Sequence, residues 1–258
     1  MLEVTKLSKR FGGLVATNNV SFTVQPGSIS ALIGPNGAGK TTIFAQISGF
    51  HRPDEGDIRF EGSSLLGLTP ERICMLGIAR TFQIVQPFAG LTVRENIAVG
   101  AYLHRAARKT ALDHAEAVAQ RVGLAPQLDK PAAALTVAGR KRLELAKALA
   151  TDPRLLLLDE VMAGLNPAEI DEIIPIIRGI RQSGITILLI EHVMRAVMNL
   201  SDHAWVLNNG SLIASGTPAQ IAADPQVIEA YLGHGAAERM QQAKIQAQVL
   251  TGQEAPHA

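Results

Sequence analysis

The sequence has little cysteine and almost no net charge. Its 258 residues include one cysteine, Cys74, which excludes an internal disulfide. A lone cysteine without neighbouring metal ligands is typical of a small buried side chain, and we predict that environment for it. The 24 basic and 23 acidic residues leave a formal net charge of +1, which gives no reason to expect a nucleic-acid partner. The basic run at 140–142 is predicted to be a solvated helix face.

Long apolar segments are also missing. The first ten residues, MLEVTKLSKR, hold no apolar stretch of the kind found in secretory signals. No run approaches the roughly 18 apolar residues that a membrane-spanning helix needs. We therefore expect an intracellular chain that meets a membrane only through a partner.

What the sequence does contain is an alternation of short strands and helices at both ends. Apolar runs that predict buried strands lie at 30–33, 155–158 and 186–190. Helical patterns dominate from 93 to 150, with a break between 123 and 131. The turn Asn208-Asn209-Gly210 between two apolar runs predicts a β-hairpin.

The stretch GPNGAGKT at 34–41 matches the phosphate-binding pattern G-x-x-x-x-G-K-[ST]. It follows an apolar strand and precedes a helical pattern, as this motif requires. Its glycines allow successive backbone N–H groups to point at one anion, and the helix N-terminus adds positive potential. We expect Lys40 to reach the β- and γ-phosphates of a nucleotide and the Thr41 hydroxyl to bind Mg²⁺. The residues predicted to contact the nucleotide here are Gly34, Pro35, Asn36, Gly37, Ala38, Gly39, Lys40, Thr41 and Thr42.

Two carboxylates, Asp159 and Glu160, directly follow the apolar run 155–158. The carboxyl ends of strands are where α/β folds bind ligands. We expect Asp159 to hold Mg²⁺, directly or through water, and Glu160 to orient and deprotonate an attacking water. Because carboxylates also favour helix starts, a purely structural role remains the alternative.

Two further polar residues follow predicted strands. Gln83 comes after Arg80-Thr81-Phe82, and His192 comes after the run 186–190. A histidine at this place is suited to hydrogen-bond a γ-phosphate and to hold Glu160. Taken alone, each residue is more simply a solvated or packed surface residue.

In this order, the motifs resemble the nucleotide-binding subunit of ABC transporters, over about residues 2–233. The similarity is greatest to the ATP-binding subunits of branched-chain amino-acid importers. The phrases that carry it are RFGGLVATNNV (10–20), GPNGAGKTTIF (34–44), RTFQ (80–83), LTVREN (91–96), AGLNP (163–167), ILLIEHVM (187–194) and GTPAQIAADPQVIEAYLG (216–233).

The resemblance implies an α/β fold. Its P-loop NTPase (RecA-like) core would carry an antiparallel β subdomain and a helical subdomain specific to this family. We expect one ATPase domain at 1–235, with the core at 1–89 and 153–235 and the helical subdomain at 90–152. Residues 236–258 are expected to be a partly disordered extension.

The resemblance also implies roles and partners. Phe11 would stack on adenine, Gln83 would contact Mg²⁺ and couple the nucleotide state to a membrane subunit, and Asn166 would belong to a loop that crosses a dimer interface. Catalysis would involve Glu160, His192, Gln83 and Lys40. Two such ATPase subunits would enclose two ATP molecules. They would work with two transmembrane permease subunits and a periplasmic binding protein, at the cytoplasmic face of the inner membrane.

One motif departs from the family. The family signature is usually Leu-Ser-Gly-Gly-Gln, and this chain has LTVAG at 135–139. Thr136 keeps a hydroxyl and is a competent helix N-cap. Val137 and Ala138 replace the two glycines, and their Cβ atoms restrict close approach to a ligand. Gly139 occupies the position of the glutamine in that signature. We expect this motif to make a weakened contact with the phosphates of the nucleotide bound by a partner subunit. If that partner is a different chain, the two ATP sites of the pair would differ in activity.

Three other interpretations of the function remain open. One is a soluble ATPase of this type that acts on ribosomes or DNA, although those chains usually carry two nucleotide domains or a long coiled coil. Another is a module that closes on ATP and hydrolyses it poorly. The third is an adenylate or guanylate kinase, which shares the phosphate loop. The order of Gln83, His192 and the hairpin disfavours the kinase.

Overall fold

The computed structural model describes residues 1–232. Within them the chain forms two sheets, with strand orders β2-β1-β4-β5 and β10-β9-β3-β8-β7-β6. The strands are β1 (Leu2–Phe11), β2 (Leu14–Val24), β3 (Ile29–Ile33), β4 (Glu55–Phe60), β5 (Ser63–Ser64), β6 (Ile78–Arg80), β7 (Leu155–Asp159), β8 (Thr186–Ile190), β9 (His203–Asn208) and β10 (Ser211–Gly216). The helices are α1 (Lys40–Ile47), α2 (Pro70–Met75), α3 (Val93–Ala101), α4 (Arg108–Arg121), α5 (Val137–Leu149), α6 (Pro167–Gln182), α7 (Met194–Leu200), α8 (Pro218–Ala223) and α9 (Pro225–Leu232).

The first sheet is antiparallel. Strand β1 pairs antiparallel with both β2 and β4, and Leu2, Val4 and Leu7 of β1 are buried. Their inward side chains join a core cluster with Phe44 of α1. One face of this sheet therefore packs on the helix that follows the phosphate loop, as an antiparallel sheet with one solvated face does.

The second sheet is largely parallel. Strands β3, β7 and β8 are buried at every position, which explains their continuous apolar runs. β3 pairs in parallel with β8 and β9, and β7 pairs in parallel with β8 and β6. The phosphate loop follows β3, the acidic pair ends β7 and His192 follows β8. Because these three strands are neighbours and run the same way, their functional residues share one edge of the sheet.

The expected strands and the hairpin are confirmed. Asn209 and Gly210 have positive φ values of 45° and 79°, as the tight turn between β9 and β10 requires. The helical region contains α3, α4 and α5, with short 3₁₀ turns at Ala125–Gln127 and Ala132–Ala134. An additional break, which the sequence pattern did not indicate, separates α3 from α4 at 102–107.

The helical region shares its core with the parallel sheet. One cluster of buried side chains contains Val118 of α4, Leu145 of α5, Leu156 of β7 and Leu189 of β8. The proposed subdomain limits at 90 and 152 stay predictions, and the proposed extension at 236–258 lies outside the described residues. Among residues 1–232, no helix is both long and apolar enough to cross a membrane.

Two environments differ from the prediction. Cys74 is half-buried rather than buried, and burial raises the pKa of its thiol. The run 140–142 is not a uniformly solvated face, because Lys141 is only 7% exposed. The charged residues of a helix look alike in a sequence, and only the packing of α5 against the core shows which of them points inward.

Gly39 is expected to tolerate no side chain. Its φ is 105°, and a Cβ atom built on it would lie 2.2 Å from the Ala16 carbonyl oxygen. Gly37 also has a positive φ, 79°, but a Cβ atom built on it would have no other atom within 4 Å. Gly37→Ala should lose about 1–3 kcal/mol of unfolding free energy from backbone strain. Gly39→Ala should lose clearly more in urea titrations, and equal losses would mean that the close approach to Ala16 is unimportant.

Candidate nucleotide-binding site

A cleft of about 800 Å³ opens at the carboxyl edge of the parallel sheet. The predicted site residues that line it are Phe11, Gly34, Pro35, Asn36, Gly37, Ala38, Gly39, Lys40, Thr41, Thr42, Gln83, Glu160 and His192. The structure thus brings together residues from five separate segments of the chain. The cleft is large enough for a nucleotide, since ligand sites commonly measure ~300–1,000 Å³.

The phosphate loop is held in a conformation that needs glycine. Gly34 has φ 147°, and a Cβ on it would lie 2.0 Å from the Leu207 carbonyl oxygen. Helix α1 begins directly after the loop, so its free N–H groups face the cleft. Backbone donors, a helix N-terminus and a lysine make this loop a suitable site for an anion.

Lys40 lies against its own loop. Its ammonium donates to the carbonyls of Gly34 at 2.8 Å and Pro35 at 2.9 Å. Burial lowers the pKa of Lys40, while the nearby carboxylates of Glu160 and Asp159 oppose that shift. A phosphate in the loop would offer this ammonium a charged acceptor in place of two neutral carbonyls.

Glu160 is aimed into the cleft by a strained backbone. Its φ is 50°, in the left-handed region, and its N–H donates to the Ile190 carbonyl at 3.0 Å. This conformation costs roughly 1–3 kcal/mol for a residue other than glycine and persists only where the surroundings hold it. Its carboxylate accepts a hydrogen bond from the Gln83 amide at 2.7 Å. Two predicted catalytic residues are therefore in direct contact.

Asp159 lies deeper than Glu160. It is 2% exposed, and its carboxylate accepts a hydrogen bond from the Arg80 guanidinium at 2.8 Å. Its backbone N–H donates to the Thr81 hydroxyl at 3.0 Å. The Arg80 side chain is itself only 9% exposed, so the two charges form a largely buried ion pair.

The donors predicted for Mg²⁺ fit that ion. Thr41, Gln83 and Asp159 line one groove of about 780 Å³ beside the cleft. They offer a hydroxyl, an amide carbonyl and a carboxylate, the hard oxygen ligands that Mg²⁺ prefers. Gln83 donates to Glu160 through its NH₂ group, which leaves its carbonyl oxygen for a cation. In the described chain no cluster of three His, Cys, Asp or Glu residues lies elsewhere to compete for a metal.

His192 and Phe11 lie on the cleft wall. His192 is exposed, and the Glu160 carboxylate that it was expected to hold is bonded to Gln83 instead. Phe11 is 42% exposed, and its ring meets His51 edge-on at 5.3 Å. An exposed ring at the rim of a phosphate site is suited to stack on a base.

The remaining predicted residues lie outside the cleft. Thr136 is the N-cap of α5, as expected, and its hydroxyl accepts from the Gly139 N–H at 3.1 Å. Val137 is 57% exposed, whereas Gly139 is buried under Leu135. Asn166 caps α6 through a capping box with Glu169. The phosphate contacts proposed for Thr136, Gly139 and Asn166 stay predictions, and in one chain these residues do not reach the cleft.

Sequence reasoning missed several residues around the site. Tyr231 of α9 lines the cleft beside Gly34, and burial raises the pKa of its phenol. Glu191, next to His192, is 1% exposed and accepts a hydrogen bond from the Met162 N–H at 3.0 Å. Burial is the main cause that raises the pKa of Glu191 to about 7. No pattern distinguishes these residues, because each becomes notable only through its tertiary contacts.

The buried carboxyl of Glu191 should make stability depend on pH. Its pKa rises from 4.5 in the unfolded chain to about 7 in the folded protein, so the folded state holds the proton more tightly. The stability from the neutral form is complete below about pH 4.5 and is lost as the pH rises through about 7. Across this window the wild type should lose about 3 kcal/mol of unfolding free energy relative to Glu191→Gln. Urea titrations at several pH values measure it. Exposed Glu3→Gln is the control, and parallel curves for the wild type and Glu191→Gln would contradict the expectation.

Comparison with known protein families agrees with this geometry. A profile of the ABC transporter family matches residues 17–163. A second profile, for the branched-chain amino acid ATP-binding cassette transporter, matches residues 211–237. The first match contains the phosphate loop and the acidic pair, and the second contains α9.

Curated relatives align along most of the chain. It is 42% identical over 249 residues to a high-affinity branched-chain amino acid transport ATP-binding protein of Escherichia coli, which covers 90% of this chain and 98% of that protein. The corresponding protein of Pseudomonas aeruginosa is 41% identical, with the same coverage. A probable branched-chain amino acid transport ATP-binding protein of Archaeoglobus fulgidus is 37% identical over 245 residues, with 90% and 95% covered.

Solved structures confirm the expected fold. A nucleotide-free ATP-binding cassette from an ABC transporter superposes with a TM-score of 0.83 at 31% identity, covering 91% of this chain and 99% of that one. A dimeric bacterial ABC transporter cassette at 20% identity has the same fold, with a TM-score of 0.78 over 84% of this chain and 99% of that one. With a family profile that spans more than half of its length and relatives that align over 90% of it, the chain belongs to the ABC transporter family, as an ATP-binding subunit.

Proposed function

We propose that this subunit binds Mg²⁺-ATP in the cleft and hydrolyses it to energise an importer. The substrates would be branched-chain or other hydrophobic amino acids, or related amides. The observation that carries the hydrolytic part is the contact of Gln83 with Glu160 beside the phosphate loop, at 2.7 Å. A carboxylate base and an amide in this position would lie near the end of a triphosphate held by the loop.

The residues of the cleft support a division of roles. The loop amides and Lys40 would hold the phosphates, and Phe11 would stack on the adenine. Glu160 would orient and deprotonate the attacking water, with Gln83 fixing its carboxylate. His192 would donate to the γ-phosphate. Mg²⁺, held by Thr41, Asp159 and Gln83, would neutralise charge on the phosphates.

The exposed signature supports a paired arrangement. Thr136, Val137 and Asn166 face solvent and lie away from the chain's own cleft. In a head-to-tail pair they would meet the nucleotide of the partner subunit. The Thr136 hydroxyl already accepts from the Gly139 N–H, and Val137, the first residue of α5, is 57% exposed. We infer that this chain's own cleft is the more active site when the partner has an intact signature.

A permease would dock on the groove beside Gln83. Three apolar side chains of this segment are unusually exposed: Phe82 is 42%, Ile84 is 74% and Phe88 is 49% exposed. An exposed apolar patch of this kind is typical of a protein interface. Its junction with Gln83 would couple permease movement to the nucleotide, with the subunit at the cytoplasmic face of the inner membrane.

The substrate proposal is supported by the relatives. The proteins of Escherichia coli and Pseudomonas aeruginosa are described as high-affinity branched-chain amino acid transport components, and the profile at 211–237 carries the same description. A periplasmic binding protein and two permease subunits would complete the importer. The ATPase subunit itself would not touch the amino acid.

The test is turnover in proteoliposomes that contain this subunit with its permease and ATPase partners. Glu160→Gln should lower the hydrolysis rate by about 10²–10⁴-fold, because a general base is removed, while ATP binding persists. Exposed Glu3→Gln is the control for a lost carboxylate. Thr136→Ala should have a much smaller effect, and Val137→Gly/Ala138→Gly should not reduce the rate.

The outcomes separate the proposals. Equal losses for Thr136→Ala and Glu160→Gln would contradict unequal sites. ATP binding without turnover in any complex would favour the module that closes on ATP without hydrolysis. Uptake of leucine, or of a related amide, that Glu160→Gln abolishes would support the proposed substrate class, and uptake of neither amino acids nor amides would contradict it.

A further inference from the structure

Lys141 connects three segments of the chain from a buried position. It lies on α5, is 7% exposed, and its ammonium donates to the backbone carbonyls of Gln83 and Glu160, both at 3.1 Å. Lysine is almost never this buried unless it is paired. Its two acceptors are the backbone groups of the residues whose side chains meet in the cleft.

Glu191 is a second buried ionisable group of this region. It is 1% exposed, and one carboxylate oxygen is bonded to the Met162 N–H while the other has no partner in the described part of the chain. Burial is the main cause that lowers the pKa of Lys141 and raises the pKa of Glu191 to about 7, and the charge of each residue opposes the shift of the other. Without Lys141, Glu191 can therefore keep its proton and stay neutral.

The neighbours of Lys141 on α5 make different contacts. Arg140 donates to the carbonyls of Leu135 and Ala133, just before its own helix. Arg142 pairs with Glu172 at the surface. Of these three basic residues, only Lys141 reaches the catalytic segments.

The strained backbone of Glu160 shows why the two hydrogen bonds of Lys141 matter. A left-handed conformation is kept only where surrounding contacts enforce it. The Glu160 N–H is held by Ile190, its carbonyl by Lys141 and its carboxylate by Gln83. Lys141 also holds the backbone of Gln83, so one cation fixes both partners of the cleft contact from behind.

We propose that Lys141 is a positioning residue, which holds the backbones of Gln83 and Glu160 so that their side chains meet in the cleft. It thereby links the helix that begins at the signature motif to the carboxylate that acts on the chain's own nucleotide. The catalytic consequence rests on the proposed hydrolysis.

The first experiment needs no hydrolysis. Amide hydrogen exchange is measured on the full-length subunit for the wild type, Lys141→Met, Lys141→Arg and Arg140→Met. Lys141→Met should raise exchange in the segments 81–86 and 159–163, because their carbonyl anchor is gone. Lys141→Arg keeps a cation with N–H donors and should restore much of the protection, and Arg140→Met should leave both segments as in the wild type. Unchanged exchange in Lys141→Met would overturn the proposal.

The second experiment separates catalysis from folding. Lys141→Met should lower the urea midpoint, because the buried carbonyls of Gln83 and Glu160 then lose their donor. Lys141→Met/Glu191→Gln also removes the cost of ionising a buried carboxyl at neutral pH and should recover much of the midpoint. In the transporter complex this double variant should still show kcat reduced by about 10²-fold with unchanged ATP affinity, since the base is misplaced and the phosphate loop is intact.

The results distinguish the two proposals. A double variant with wild-type stability and wild-type kcat would show that Lys141 only balances charge, and the positioning role would be wrong. A wild-type complex without turnover would overturn the proposed hydrolysis, and hydrogen exchange alone would then decide whether Lys141 holds the two segments.

Discussion

The parallel alignment of β3, β8 and β7 is the constraint on which the site depends. These strands are buried on both faces and hydrogen-bonded side by side, so their carboxyl ends cannot move independently. The phosphate loop, the acidic pair and the histidine segment are attached to those ends. The relative positions of these three segments are therefore set by the register of the sheet.

The arrangement of the sheet edge could be predicted from the sequence because each part leaves a local signal. The phosphate loop requires glycines at defined places, and strands β3, β7 and β8 appear in the sequence as short apolar runs. The cleft collects Phe11, Gln83, Glu160 and His192 as expected, together with the whole loop. The family resemblance added the adenine and dimer roles, which local patterns do not contain.

The buried polar contacts could not be predicted in the same way. Lys141 stands in a run of three basic residues, and Arg80 precedes an ordinary Thr-Phe pair. Lys141 proves to be a buried cation that contacts the Glu160 backbone, and Arg80 a largely buried cation that pairs with Asp159. Which charged side chain points inward depends on the packing of α5 and β6 against the core, and residues far apart in sequence decide that packing.

Tyr231 connects the end of the described chain to the cleft. It lies in the segment 211–237, which matches the branched-chain transporter profile, and it forms part of the cleft wall next to Gly34. The part of the chain that matches a transport-class profile thus also contributes to the wall of the predicted nucleotide site. A substitution of Tyr231 is therefore expected to alter the shape of the cleft next to the phosphate loop as well as the match to that profile.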